Sequence, residues 1–520
     1  MADSPEDELI VGVAASTGLG AEAGEAAIAK GGNAVDAAVA TLLLSLTTEP
    51  GIVSLASGGF LTLWVPGRGP LVIDGGAEMP GRNAPAARFG EGLMEVELAY
   101  GGGMLTRVGF GSVAVPGILG ALETAVRDYG RLPWAELMAP AIAWTRRGFP
   151  LSRASRTYLE LCHEGIFGWD PESFRALHDA RGELKRAGDP VHVEHLADSL
   201  QAIADEGTEA FYKGELGQQI ADHVTENGGL LGRRDLCAYE VRELRPLRER
   251  VVGWTVATPP PPSVGGVCLA AMLHLLANRD GSVGTPGEDM LMAHVQRTVL
   301  AFRAQHLDPA LEFGEASRRL LALADSGDLR VGLASPSTIH ASAVDSSGLA
   351  CSITASAGYG SGVMPPGTGI WLNNCLGELE LNRPGFHRWR PGQRLPSNMA
   401  PTVAEGPDGR VLAIGSPGAD RITTAILQTL AHLLHDGLSL EDAIASPRLH
   451  VEAFESGWRI AAEPGLDLGA AAIPVRFFDE PHMFFGGVSA VLHHADGRFE
   501  VAADPRRSGS TALGSASSPG

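Results

Sequence analysis

Hydrophobic positions along the chain change period several times, and each change predicts an element. Residues 9–15 (LIVGVAA) read as a short strand, and helical spacing follows at Gly20–Lys30 and Asn33–Leu46. Gly58-Gly59-Phe60 leads into two apolar runs, FLTLWV and LVID, which read as a strand pair separated by Gly67-Arg68-Gly69. From about residue 113 to 250 the period is helical, in segments such as VPGILGALETAVRDYG and ELGQQIADHVTENGG divided by polar or Gly-rich turns. TPPPPSVGG (258–266) is a rigid loop that opens the apolar helix CLAAMLHLLA, and a further helix pair follows. GIWLNN, TVAEG and VLAIGS read as strands. The next helix has Asp420 as N-cap, RITTAILQTLAHLLHD as body and Gly437 as its stop. Residues 505–520 (PRRSGSTALGSASSPG) have the composition of a disordered tail. Helices segregated from a hairpin-rich half make the fold class α+β.

Alternation is clearest in SPSTIHASAVDSSGLACSITAS (335–356), which reads as a hairpin with strands Thr338 to Val344 and Leu349 to Ser356. With Ser346-Ser347 at the turn centre, Thr338 stands opposite Ala355. One extra residue at the turn moves it opposite Ser356. In either register the Ser356 hydroxyl lies close to that of Thr338. A second stretch, IGSPGAD (414–420), runs from strand into helix through Gly418 and Ala419. Backbone N–H groups at such a helix start suit a developing negative oxygen. Standing alone, this loop also reads as a plain tight turn.

Composition narrows the class. The 520 residues, 44% hydrophobic and 19% charged, can bury a large core. Length alone suggests roughly three domains. The net charge of −21 argues against a nucleic-acid or anionic-membrane partner, because phosphate neutralisation needs basic surface. The longest apolar run, Ala34 to Leu46, contains Asp36 and falls short of the about 20 residues a bilayer span requires. The opening MADSPEDELIVG shows no secretory signal, so a cytoplasmic placement is expected. Five cysteines at wide spacing indicate neither a disulfide framework nor a zinc ribbon. His192 and His195, and the His493-His494 pair, lack zinc-ligand spacing. Gly18-Leu19-Gly20 with Gly24 lacks the acidic strand end of a dinucleotide site, and no G-x-S-x-G is present. No metal and no cofactor are expected.

Read in order, GGNAVDAAVA (31–40), EPGIVSLASGGF (49–60), VAVPG (113–117), PPPPSVGG (259–266), T-x-H-x-S-x-V-D (338–345), GTGIWLNN (367–374), SNMAPT (397–402) and GSPGADRITTAILQ (415–428) resemble the γ-glutamyltransferases. The resemblance spans nearly the whole chain. It implies an N-terminal-nucleophile hydrolase with an αββα four-layer sandwich, made as an inactive precursor that cuts its own backbone before a catalytic threonine. Here that bond is Ser337–Thr338. It divides the chain into a large fragment, 1–337, and a small fragment, 338–520, expected to stay together as a heterodimer, with further dimerisation left open. The chemistry requires the cut: an amide nitrogen is no base, whereas a free α-amine titrates near about 7.7–8.0 and is matched to deprotonating the Thr338 hydroxyl. The resemblance also places Ser356 at the second hydroxyl that bonds the nucleophile. It places Gly418 and Ala419 at a two-residue oxyanion hole.

The departures concern substrate. In glutathione-cleaving members an Arg pairs with the α-carboxylate of the γ-glutamyl group, and Ala77 stands at the matching position in GGAEMP (75–80). A bidentate Arg–carboxylate contact is hard to replace. The family's Asn, Gln and Asp ligands for the α-amine fall at Gly358, Cys375 and Glu378, and its carboxylate-binding Ser-Ser pair falls at Ser397-Asn398. The implied activity is therefore acyl hydrolysis or transfer on a small molecule other than glutathione. The bond is an amide, as in cephalosporin-acylase or oxamate-hydrolase relatives, or a C–C bond beside an activated carbonyl, as in antibiotic-pathway relatives. The alternatives are an ordinary γ-glutamyl hydrolase with a rearranged pocket and an uncleaved, non-catalytic homologue.

Overall fold

Two antiparallel sheets meet through small side chains. The computed structural model describes residues 8–98, 104–277, 287–326, 338–454, 457–469 and 471–516. In the first sheet the strands lie in the order Ser510–Ala516, Leu9–Ala15, Ile339–Asp345, Ala350–Ser356, Gly58–Val65, Gly69–Gly75 and Arg242–Leu244. In the second the order is Phe499–Ala503, Ser489–His493, Val411–Gly415, Thr402–Glu405, Trp254–Thr258 and Leu247–Val251. Ala14, Val344 and Ala350 from the first sheet pack on Val403, Ala413 and Val491 from the second. Short aliphatic side chains on both inner faces let the two backbones approach closely.

Helices cover the outer face of each sheet. Gly18–Ala29 and Ala34–Thr48 join the apolar cluster on the first sheet; Val264–Leu276, Glu288–Phe302 and Arg421–Leu430 join the cluster on the second. Gly20 and Gly24 serve this packing. A Cβ on Gly20 would lie 2.5 Å from Ser45 Oγ, and one on Gly24 would lie 2.5 Å from Thr41 Oγ1. Among the described residues no helix is long and apolar enough to cross a membrane.

The motif GGNAVDAAVA is likewise structural. Asn33 caps its helix by accepting from the N–H of Val35 and of Asp36, and Asp36 Oδ2 accepts from Asn33 N at 2.9 Å. Asp345 Oδ2, at the turn of the central hairpin, accepts from Ala34 N at 3.2 Å. Asn33→Ala is expected to lower the urea-denaturation midpoint by an amount equal to about 1–2 kcal/mol, with Asn33→Ser recovering part of it.

Three expectations need correction. The segment GIWLNN makes no strand: its ladder reduces to one bridge, Ala56 to Leu372, and Asn373 Nδ2 satisfies the carbonyls of Ala56 and Ala114. Side-chain amides do there what a neighbouring strand would do. Residues 505–516 are not a disordered tail. Pro505–Arg507 forms a helical turn and Ser510–Ala516 adds a strand against Leu9–Ala15. The free sheet edge and two buried pairs, Arg448–Asp504 at 2.6 Å and Arg506–Glu463 at 2.5 Å, provide order that a Ser/Gly/Ala composition does not show. Residues 517–520 lie outside the described residues. Third, Asp420 stands at the N-cap position as expected but does not cap: its backbone is already helical (φ −70°, ψ −22°) and its side chain makes no cap bond. Gly437 does end that helical stretch with φ +73°.

Candidate active site

Hairpin register decides where Thr338 points. Ile339 pairs with Ala355 and Val344 with Ala350, so the next position sets Thr338 opposite Ser356. This is the register with one extra residue at the turn. Asp345 builds that turn: its Oδ1 accepts from Ser347 N at 3.0 Å and from Leu349 N at 3.3 Å. Ser347 Oγ adds a third bond to the same oxygen. Thr338 is only 2% exposed. Ser356 pairs with Gly58 of the neighbouring strand, and its Oγ accepts from Gly358 N at 3.1 Å. Ser337 lies outside the described residues.

The other two polar residues of T-x-H-x-S tie the sheets together. Ser342 Oγ donates to Ser489 O in the facing sheet at 3.1 Å, and His340 Nε2 sits 2.7 Å from Ser342 Oγ. That leaves Nε2 as the donor, while Nδ1, 2.9 Å from Thr354 Oγ1, accepts. Burial pushes the His340 imidazole down to about 3, so it stays neutral. A Cβ on Gly415 would fall 2.3 Å from the ring, which explains a glycine at the end of that strand.

Thr338 and Ser356 open on a small pocket of about 30 Å³. Cys375, Glu378, Ser397 and Asn398 line it, so the predicted substrate residues converge with the predicted nucleophile and its partner. Ala77 and Gly58 form another wall, and Leu381, Leu395, Pro396 and Met399 make much of the remainder apolar. The proline-rich motif holds the Ser397–Met399 wall from behind. Ser263 Oγ donates to Met399 O at 2.6 Å, Gly265 N donates to Ser397 O at 3.1 Å, and Ser397 N donates to Pro262 O at 3.2 Å. A Cβ on Gly265 would lie 2.0 Å from Asn398 O, so only glycine fits. In the sequence, the only trace of this supporting task is the glycine pair Gly265-Gly266 after Ser263.

Among the described residues no Lys, Arg or His lines the pocket. Arg394, immediately before Leu395, is held away from it. Its Nε donates to Asp74 at 3.1 Å, Nη1 pairs with Glu78, and the guanidinium stacks 4.4 Å from the Tyr239 ring centre. Among the described residues the one carboxyl on the lining is Glu378, which is 4% exposed, and no hydrogen bond or ion pair to its side chain occurs there. Burial first, and Glu380 second, raise its pKa well above the usual carboxylate range. Burial also pushes Glu380 up to about 7, against the pull of a 2.9 Å bond from Tyr359 Oη. Burial and the Glu378 charge push the Cys375 thiol up as well. Gly358, where the family's Asn falls, has no room for a side chain: a Cβ would meet Asn374 Oδ1 at 2.2 Å and Glu378 Oε1 at 2.9 Å.

Gly418 and Ala419 do not line this pocket. They follow the strand Val411–Gly415, whose end passes His340, two residues from Thr338. Neither N–H donates to a protein acceptor among the described residues.

The family profile described as Gamma-glutamyltranspeptidase matches residues 20–514. The chain is 31% identical over 474 residues to the glutathione hydrolase proenzyme of Pseudomonas aeruginosa, covering 84% of this chain and 82% of that protein. It is also 31% identical over 517 residues to the acylase ACY 1 proenzyme of Pseudomonas sp. (strain V22), covering 94% and 91%. The crystal structure of cephalosporin acylase from Bacillus halodurans superposes with a TM-score of 0.82 at 24% identity, covering 98% of each chain. At that identity the likeness shows the fold.

Proposed function

This chain belongs to the gamma-glutamyltranspeptidase family, and we propose that it cuts itself at Ser337–Thr338 and then uses Thr338 on an acyl donor other than glutathione. It is an enzyme of the N-terminal-nucleophile hydrolase and acyltransferase kind. Two facing sheets with helices on both outer faces support the αββα four-layer arrangement expected of such enzymes. The proenzyme names of the relatives support self-cleavage here. The two fragments, 1–337 and 338–520, then stay together as a heterodimer, because Leu9–Ala15 is hydrogen-bonded between Ile339–Asp345 and Ser510–Ala516.

Cleavage turns the amide nitrogen of Thr338 into an α-amine. That amine takes the Oγ1 proton as the oxygen attacks the substrate carbonyl, and returns it to the leaving group as the acyl-enzyme forms. Water or an acceptor amine then attacks the ester by the same route. Ser356, opposite Thr338 in the hairpin, orients the attacking oxygen.

One observation carries the substrate reading: among the described residues, the pocket beside Thr338 is lined by apolar and neutral polar side chains and a single buried carboxyl, with no cation. A γ-glutamyl group would bring its α-carboxylate into that space without a counter-charge, at a cost that excludes it as a good substrate. The acyl group we infer is short, lacks a carboxylate and offers an amine or other donor to Glu378. Cleavage of a C–C bond beside an activated carbonyl would use the same attack with a different leaving group.

Ser356→Ala separates orientation from attack. The variant is expected to process, though more slowly, and its kcat should fall by about tenfold, using about 1.4 kcal/mol per decade for a hydrogen bond felt mainly in the transition state. Unchanged processing and unchanged kcat would remove Ser356 from the mechanism and leave Thr338 in it.

A further inference from the structure

Asp420 follows the Gly418–Ala419 turn directly, and its carboxylate is fully buried. A residue at this point needs only to start a helix, and Ser or Asn would do so without burying charge. Instead the side chain turns away from the helix and is gripped from two directions. Arg421 Nη1 donates to Oδ1 at 2.6 Å, and His450, on the strand Leu449–Phe454, places Nε2 3.0 Å from Oδ2. Each partner is anchored in turn. His450 Nδ1 lies 3.0 Å from Thr424 Oγ1, and Arg421 donates through Nε to Phe484 O at 3.1 Å and stacks on the Phe484 ring. Burial opposes ionisation of Asp420, but Arg421 and His450 outweigh it and hold the carboxyl well below its usual range.

The backbone just ahead of this clamp is in a conformation that relaxes unless held. Ala419 has φ +63°, in the left-handed region that a residue with a Cβ avoids, and Gly418 has φ +124°. The other end of the turn is also fixed: Gly487 N donates to Ser416 Oγ at 3.0 Å, and a Cβ on Gly418 would strike Gly486 Cα at 2.9 Å. Two adjacent N–H groups that donate to no protein acceptor among the described residues are thus held in one orientation.

We propose that Asp420, clamped between Arg421 and His450, is a positioning residue that locks the Gly418–Ala419 turn in the geometry that binds the developing oxyanion. The proposal rests on the reading of Thr338 as nucleophile and of the Gly418–Ala419 turn as its oxyanion site. It assigns no contact between Asp420 and substrate: the clamp acts through the backbone, and Arg421 offsets the negative charge that would otherwise stand one residue from the oxyanion.

The test uses 4-nitrophenyl acetate, an activated acyl donor that needs no grip from the substrate pocket. Nitrophenolate release by the processed enzyme is followed and normalised to titrated nucleophile. Asp420→Asn keeps the shape and removes the charge. It is expected to lower kcat about tenfold with KM within twofold, because the loss falls on the transition state. His450→Gln should lower kcat at least threefold, and the double variant should be no slower than Asp420→Asn, since both act on one clamp. A properly folded Asp420→Asn enzyme with kcat within twofold of wild type would overturn the proposal while leaving Thr338 untouched. If Asp420→Asn does not fold, an unchanged kcat in His450→Gln overturns it. Wild-type protein that neither cleaves nor acylates removes the nucleophile reading and this proposal together.

Discussion

Thr338→Ala protein is expected to remain a single chain through prolonged incubation and to show no measurable turnover. Both reactions need the same oxygen. In self-cleavage the Oγ1 of Thr338 attacks the carbonyl of Ser337, moving the acyl group from nitrogen to oxygen before water releases the upstream fragment. In turnover the same oxygen attacks the substrate. Alanine leaves neither a nucleophile nor, without cleavage, an α-amine to act as base. Loss of an acyl-transfer nucleophile lowers kcat by on the order of 10⁶, which puts the variant below detection. A denaturing gel and intact-mass measurement check the first half. Wild type should yield a chain beginning at Thr338, the variant should not, and Thr338→Ser should cleave slowly because it keeps the oxygen. A Thr338→Ala variant that cleaves at the same bond, or a wild type that never cleaves, would show that the hairpin carries a different chemistry.

A second large effect is expected in donor choice. 4-Aminobutanoyl anilide is γ-glutamyl anilide without its α-carboxylate. The truncated donor should have the higher kcat/KM by roughly a hundredfold or more, as about 3 kcal/mol is a modest estimate for burying a carboxylate with no cation to meet it. Arg394 cannot supply that cation, because Asp74, Glu78 and Tyr239 already hold it. An arriving ammonium, by contrast, meets Glu378. The free pocket disfavours the ionised form of that carboxyl, and a cation beside it restores ionisation. Equal or better use of γ-glutamyl anilide or glutathione would reverse this reading and favour an activity like that named for the Pseudomonas aeruginosa relative.

Local periodicity accounts for much of what was legible. Alternation predicted the hairpin around residue 345 and the strand pair ending at Gly75, and both stand with small shifts at their ends. The motif order carried the family. Thr338 and Ser356 were found by pattern and resemblance, and they do face one another. Local patterning could not choose between two hairpin registers one residue apart; the bonds from Asp345 to the backbone and side chain of the turn made that choice.

The failures share one cause. A capping role for Asp420 considers only the helix that follows, whereas Arg421 and His450 take the same carboxylate, Arg421 by bringing opposite charge into a buried space and His450 by a hydrogen bond. Composition marks residues 505–520 as a disordered tail and misses the strand Ser510–Ala516, because the partner strand is some 500 residues away and leaves no mark on the local sequence. Pocket chemistry is decided in the same way. By itself the sequence determined the family, the hairpin that carries Thr338 and Ser356, and the presence of Ala77 where glutathione-cleaving members of the family carry an Arg. Only the tertiary structure decided that Ala77, Cys375, Glu378 and Ser397 share one wall-to-wall space with Thr338, that Gly358 has no room for an amide, and that Arg394 is already neutralised. Side-chain periodicity is a property of neighbours in sequence, whereas the charge balance of a pocket depends on residues that only folding brings within a few ångströms.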